Sequence, residues 1–151
     1  VRQSLDLITQ ERVQHIISAV NDTLLKIGIK EPKILVGGLN PHASERGLFG
    51  SEEAEIIEPA IASKKAEGIL VEGPIGADLL THQEGYDAFI VMLHDQGHIP
   101  AKLLAQHRTA GLSIGSPILF SSVAHGSAHD IAGQGKAEPT AVIEAIRRLV
   151  G

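Results

Sequence analysis

Short apolar runs ending in glycine or polar residues, set between stretches of helical spacing, restrict this chain more than any other feature. KILVGG (residues 33–38), ILVEGP (69–74) and YDAFIVML (86–93) each read as a buried strand. Ahead of the first run, Thr9 suits an N-cap with Glu11 in the first turn. Val13, Ile16, Ile17, Val20, Leu24 and Ile27 then recur at helical spacing until Gly28. Ser51 is placed to cap a second helix, with Glu52, Glu53 and Glu55 near its positive end, closing near Gly68. GLSIGSPILFSS (111–122) predicts one or two short strands, and Pro139 opens a final helix through Val142, Ile143, Ile146 and Leu149. Strands alternating with helices predict an α/β fold whose parallel sheet is covered on both faces. No repeat, low-complexity tract or linker interrupts the pattern, so residues 1–151 are read as a single α/β domain. The chain opens Val-Arg-Gln rather than with Met, and is read as a piece of a longer protein.

Composition narrows the function classes. With 43% hydrophobic residues but only 3% aromatic and no Trp, the core has to be built from Ile, Leu, Val and Ala. Few aromatic rings and a net charge of -5 argue against nucleic acid as a partner. No apolar run approaches the ~20 residues of a membrane span, so no membrane partner is expected. The absence of cysteine excludes disulfides and thiolate zinc sites and fits a cytoplasmic protein. A metal ion would have to use His, Asp or Glu, and eight histidines are available.

In an open parallel sheet, ligands bind beyond the carboxyl ends of the strands. His94, Asp95 and Gln96 follow the third apolar run and are expected to project there; Asn40 and His42 follow the first. Two imidazoles from different strand tips can meet at one divalent ion such as Zn²⁺, Ni²⁺ or Co²⁺. The plainer alternative is that each histidine only bonds loop backbone. His15 and His107 are read as surface residues, while His82 and His98 stay open. Asp78, at the end of GPIGAD (73–78), suits either acid–base chemistry or the capping of a short helix. Lys102 suits a carboxylate or a proton shuttle, or simply a solvated surface. The stretch AHGSAHDIAGQGKAEPTA (124–141) has the small residues that let a backbone approach a flat or phosphorylated ligand. Asp130 within it can accept hydrogen bonds from both hydroxyls of a ribose, and would repel a 2'-phosphate. An ordinary loop ahead of a proline-started helix is the alternative, and no G-x-G-x-x-G follows a strand.

GLNPHA, EGPIGAD, HDQGHIPAKLL and HGSAHDIAGQGKA together resemble, in order and spacing, the 4-hydroxythreonine-4-phosphate dehydrogenase (PdxA) family. This is a branch of the isocitrate/isopropylmalate dehydrogenase-like superfamily. The likeness covers essentially the whole chain and corresponds to the C-terminal half of a two-domain enzyme. It implies a parallel-rich α/β/α layered sheet and a homodimer with its sites near the subunit interface. It further implies an N-terminal domain that is missing here, without which the chain alone would be inactive. By the same resemblance, His42 and His94 are two of three histidine ligands to a divalent metal (Zn, Co, Ni, Mn or Mg), the third preceding Val1. Asp78 and Lys102 match active-site positions for substrate binding and proton transfer. His125, Gly126, Ser127, Ala128 and Asp130 match the loop that holds the adenosine end of NAD.

The implied reaction is NAD-dependent oxidation of a secondary alcohol next to a carboxylate-bearing carbon, with decarboxylation. Members that oxidise the phosphorylated threonine derivative carry Asn, Arg and Asp where this chain has Gly111, Phe120 and Ala124. Phe120 cannot reproduce the charged planar fork of an arginine against an anion. The departure therefore favours a cis-dihydrodiol carboxylate of aromatic degradation, such as terephthalate dihydrodiol. The alternatives are the pyridoxine (vitamin B6) biosynthetic substrate and a non-catalytic nucleotide-binding fragment.

Overall fold

The computed structural model describes residues 2–105, 109–118, 120–123 and 126–150, the side chains of 148–150 excepted. Two compact units divide the chain, Val1–His98 and Ile99–Gly151. The first opens with the short α1 (Arg2–Leu5) and the long α2 (Gln10–Lys26), which leads into β1 (Lys33–Gly37). A π-helical turn (Glu53–Ile57) runs on into α3 (Glu58–Ala66), followed by β2 (Leu70–Ile75) and β3 (Ala88–Ile90). The strands lie in the order β2-β1-β3, and β1 is parallel to both neighbours. The α/β class with a parallel sheet is thus what the strand–helix alternation predicts.

Local chemistry sets the boundaries. Thr9 caps α2 by accepting from the Arg12 amide at 3.2 Å, and Gly28, at φ +97°, takes the left-handed conformation that follows its end. Val13 and Ile17 bury one stripe of α2 against Ile57 and Ile61, while Ile16, on the same predicted periodicity, stays on the exposed side. Ile34 and Val36 enter this cluster from one face of β1, and Leu35, on the opposite face by alternation, is buried as well. A strand buried on both faces is how the middle of a parallel sheet reads.

Two expectations are corrected. The third strand stops at Ile90 rather than running to Leu93, because the Met92 and Leu93 amides turn away to a side chain described below. The second helix begins through the π-helical turn without a side-chain cap from Ser51; Glu53, in its first turn, is buried.

The unit boundary falls inside α4 (His94–Ala105), beside Gly97 and Pro100, the residues least suited to a helix interior. In the second unit the 111–122 stretch supplies parts of two strands, β4 (Ala110–Ser113) and β5 (Phe120–Val123), paired antiparallel with Gly111 opposite Ser122. α5 (Thr140–Val150) follows Pro139 as predicted and buries Ala141 and Ala145. Among the described residues, no helix is long and apolar enough to cross a membrane.

At the amino-terminal edge of the sheet, the Tyr86 hydroxyl donates to Glu72 Oε2 at 2.6 Å. Beside it, the Asp87 amide donates to the Lys33 carbonyl and the Lys33 amide to Asp87 Oδ2, each at 2.8 Å. Hydrogen bonding to the Glu72 carboxylate raises the Tyr86 pKa above 10.0, with desolvation and the nearby negative charge acting in the same direction. A phenol whose folded pKa is raised contributes stability in full below its unfolded value, and loses it as pH rises through the folded value. Tyr86 is the one tyrosine of the chain, so its phenolate absorbance can be titrated alone. The midpoint is expected above 10.0, and to fall back toward that value in Glu72→Gln.

Candidate functional site

The three strands end at one edge of the sheet, and their tips are fastened at Gly38. Its amide donates to the Ile75 carbonyl at the end of β2, at 2.7 Å. Its carbonyl accepts from Gln96 Nε2, at 3.1 Å, from the first turn of α4. A Cβ at Gly38 would stand 3.0 Å from both Ala43 Cα and Glu53 Oε1, so a side chain has little room here.

The next two amides are held by a buried carboxylate. Leu39 and Asn40 donate their backbone N–H groups to Glu53 Oε1 at 2.7 and 2.8 Å, and Asn40 Nδ2 donates to Glu53 Oε2 at 2.9 Å. Glu53 is 1% exposed. Burying a carboxylate is costly unless hydrogen bonds disperse its charge, and here three N–H donors do so. Asn40 Nδ2 also donates to Glu52 Oε2 at 2.7 Å, a bond that holds the Glu52 carboxyl below its ordinary pKa.

Beyond this clamp the chain enters an unusual turn, Pro41–Glu45. Residues 42 to 46 all have positive φ, from 47° to 67°. Left-handed backbone costs a non-glycine residue about 1 kcal/mol or more, so the turn persists only because its surroundings hold it. Ser44 is buried, and its carbonyl accepts from the Gly47 and Phe49 amides, each at 3.1 Å. The turn leaves His42 exposed, its ring tilted against Phe49 with centroids 6.0 Å apart. The neighbouring tip lies close: a Cβ on Gly76 would be 3.6 Å from His42 Cα. Gly76 leads directly into the turn Ala77–His82 that carries Asp78. Asp78 is exposed and forms no side-chain cap; among the described residues its carboxylate has no hydrogen bond or ion pair.

His94 starts α4 with its side chain 72% exposed. Its Nδ1 lies 2.9 Å from Asp95 Oδ1. A carboxylate oxygen accepts, so in the neutral imidazole this contact makes Nδ1 the donor and leaves the Nε2 lone pair for a ligand. The ring stacks on His98, one helical turn away, with centroids 4.0 Å apart and planes 4° from parallel. Among the described residues, neither His42 nor His94 bonds loop backbone through its ring, and both stand on the same edge of the sheet. Their imidazoles are suitable donors for a divalent ion, although no group of three His, Asp or Glu is assembled for one among the described residues. An open cleft of about 520 Å³ lies at the amino-terminal edge, lined by Lys33, Lys65, Leu70, Glu72 and Tyr86.

In the second unit Lys102 sits on α4, exposed and without an ion-pair partner among the described residues. The loop from Gly126 through Ser127, Ala128 and Asp130 is exposed; Ala128 has φ +47° and a short helical turn, His129–Ile131, follows. Gln134 Nε2 donates to the Asp130 backbone carbonyl at 2.8 Å. His125, Ala124 and His107 lie outside the described residues.

Gln96 does not project into the crevice beside His94 as expected; it is half-buried, with both ends of its amide on backbone. The sequence places Glu53 only as one of three acids near the positive end of the second helix. One signal was available: Glu53 shares helical spacing with Ile57, Ala60 and Ile61, which form the buried stripe. Glu53→Ala strips the acceptor from buried N–H groups and is expected to cost about 2–4 kcal/mol of unfolding free energy in urea. The exposed Glu55→Ala should stay within about 0.5 kcal/mol of the parent.

Residues 1–149 match the family described as "Pyridoxal phosphate biosynthetic protein PdxA". A 1,2-dihydroxy-3,5-cyclohexadiene-1,4-dicarboxylate dehydrogenase from Comamonas sp is 44% identical over 149 residues, 99% of this chain and 47% of that protein. A Clostridium botulinum protein provisionally named D-threonate 4-phosphate dehydrogenase is 46% identical over 149 residues, 97% of this chain and 45% of its own length. Among solved structures, a 4-hydroxythreonine-4-phosphate dehydrogenase from Klebsiella pneumoniae superposes with a TM-score of 0.87 at 41% identity, covering 98% of this chain and 46% of that one. The chain thus spans about half the length of the curated relatives it matches. Matched along nearly its whole length and folded alike, the chain belongs to the PdxA family.

Proposed function

We propose that this chain forms part of a divalent-metal- and NAD-dependent dehydrogenase that oxidises a secondary alcohol beside a carboxylate-bearing carbon, with decarboxylation. The observation that carries the reading is the pair of histidine turns at one edge of the parallel sheet, joined through Gly38. When bound, the metal would supply positive charge against the reacting oxygens and nicotinamide a two-electron acceptor. His42 and His94 would hold the metal, His94 through the Nε2 that its bond to Asp95 leaves available. Asp78, exposed and unpaired among the described residues, is suited to take up the alcohol proton. Lys102 is assigned the substrate carboxylate or a proton by its place in the matched motif. His125, Gly126, Ser127, Ala128 and Asp130 are assigned the adenosine end of NAD on the same ground, with the Asp130 carboxylate accepting from the ribose hydroxyls. The working form is proposed to be a homodimer.

For substrate, a cis-dihydrodiol carboxylate is favoured. Phe120, 61% exposed on β5, is apolar at the position where the resemblance sets an arginine against an anion. The Comamonas relative is named for such a dihydrodiol. A second reading, oxidation of a phosphorylated hydroxy acid or amino acid, is favoured by the names of the Clostridium and Klebsiella proteins.

Metal content and turnover test these assignments separately. In the full-length protein, His42→Ala and His94→Ala are each expected to lower Co²⁺ affinity about tenfold or more; unchanged affinity in both removes the metal role. Side by side, a terephthalate cis-dihydrodiol should give NADH with a larger kcat/KM than 4-hydroxythreonine 4-phosphate or D-threonate 4-phosphate. The opposite ranking would transfer the assignment to the phosphorylated class.

A further inference from the structure

The geometry points to Gln96 as a positioning residue that fixes the separation of the two histidine-bearing turns. The backbone ladder between β1 and β3 reaches only the Val36–Ile90 pair. Past that pair the two segments would be free to splay, and both site histidines lie beyond it. The Gln96 side chain continues the ladder as a substitute peptide group. Its Oε1 accepts from the Met92 and Leu93 amides at 3.0 and 2.9 Å, and its Nε2 reaches across to the Gly38 carbonyl at 3.1 Å. One amide thereby closes the turn leading to His94 and ties it to the residue from which the His42 loop departs. Gly38 in turn is bonded to β2, and the next two residues are gripped by Glu53. Among the described residues, Gln96 makes the hydrogen bonds that span the two turns. A carboxylate of the same length could satisfy the Met92 and Leu93 amides yet has no N–H for Gly38. That asymmetry accounts for an amide rather than an acid at this position.

The role concerns the spacing of the turns, and its consequence for a metal ion rests on the reading proposed above. Two variants of the full-length protein separate the parts. Gln96→Glu keeps the acceptor and removes the donor; Gln96→Met keeps length and removes both. Without metal, amide hydrogen exchange in Gln96→Glu should quicken at residues 38–44 while Met92 and Leu93 stay protected. In Gln96→Met it should quicken at both places. With Co²⁺, Gln96→Met should lose affinity by about tenfold, as when a group supporting a ligand is removed, with an altered visible absorption band. Unchanged exchange at residues 38–44 in both variants overturns the positioning role, as does a Gln96→Met protein with parental Co²⁺ affinity and spectrum. Should Gln96→Met not fold, the exchange pattern of Gln96→Glu decides. A parent protein that binds no Co²⁺ but shows the exchange differences would end the metal reading and leave the positioning role of Gln96 in place.

Discussion

Parallel pairing on both sides of β1 is the constraint from which the rest of the first unit follows. Parallel neighbours end at the same edge, so whatever follows β1, β2 and β3 is delivered to one place. The central strand earns that position through burial on both faces, with Ile34, Leu35 and Val36 all inaccessible. A strand of alternating polarity would have left one face wet and favoured a different sheet. The chemistry of the loops therefore depends on three consecutive apolar residues that take no part in it.

The edge itself is built from polar contacts rather than packing. Glu53 and Gln96 use the same physics from opposite directions: one is a buried acceptor for N–H groups, the other is both acceptor and donor. Together they hold the ends of a segment whose interior is strained. The left-handed run at residues 42–46 is what a relaxed chain avoids, and such backbone gathers where a side chain has to be presented in a fixed way. The first side chain of that run is the His42 imidazole.

Much of this was legible in the residues. Helical periodicity placed α2 and α5, the apolar runs placed β1 and β2, and the polar residues behind them indicated the edge where His42 and His94 stand. What was not legible has identifiable causes. Strand length is set by where the backbone finds other partners, and the partner that shortens β3 is a side chain three to four residues on. Gln96 was grouped with His94 and Asp95 because all three are polar and adjacent, but a helical turn sends adjacent side chains in different directions. Glu53 looked like one of several acids at a helix start; only its phase relative to Ile57 and Ile61 distinguishes it. The boundary between the units left no compositional trace because it falls within a helix, next to Gly97 and Pro100. Family resemblance, in contrast, rested on whole motifs, and these tolerate errors in where each element begins and ends.

The hydrogen bond between Tyr86 and Glu72 has a practical consequence. With one tyrosine and no tryptophan, this stretch of chain has a single phenol as its main intrinsic emitter, at the end of the sheet remote from the histidine turns. That emission is a gauge of whether the far end of the sheet is intact. Occupancy at the histidine edge has to be followed through a colour or fluorescence that the arriving molecule brings with it.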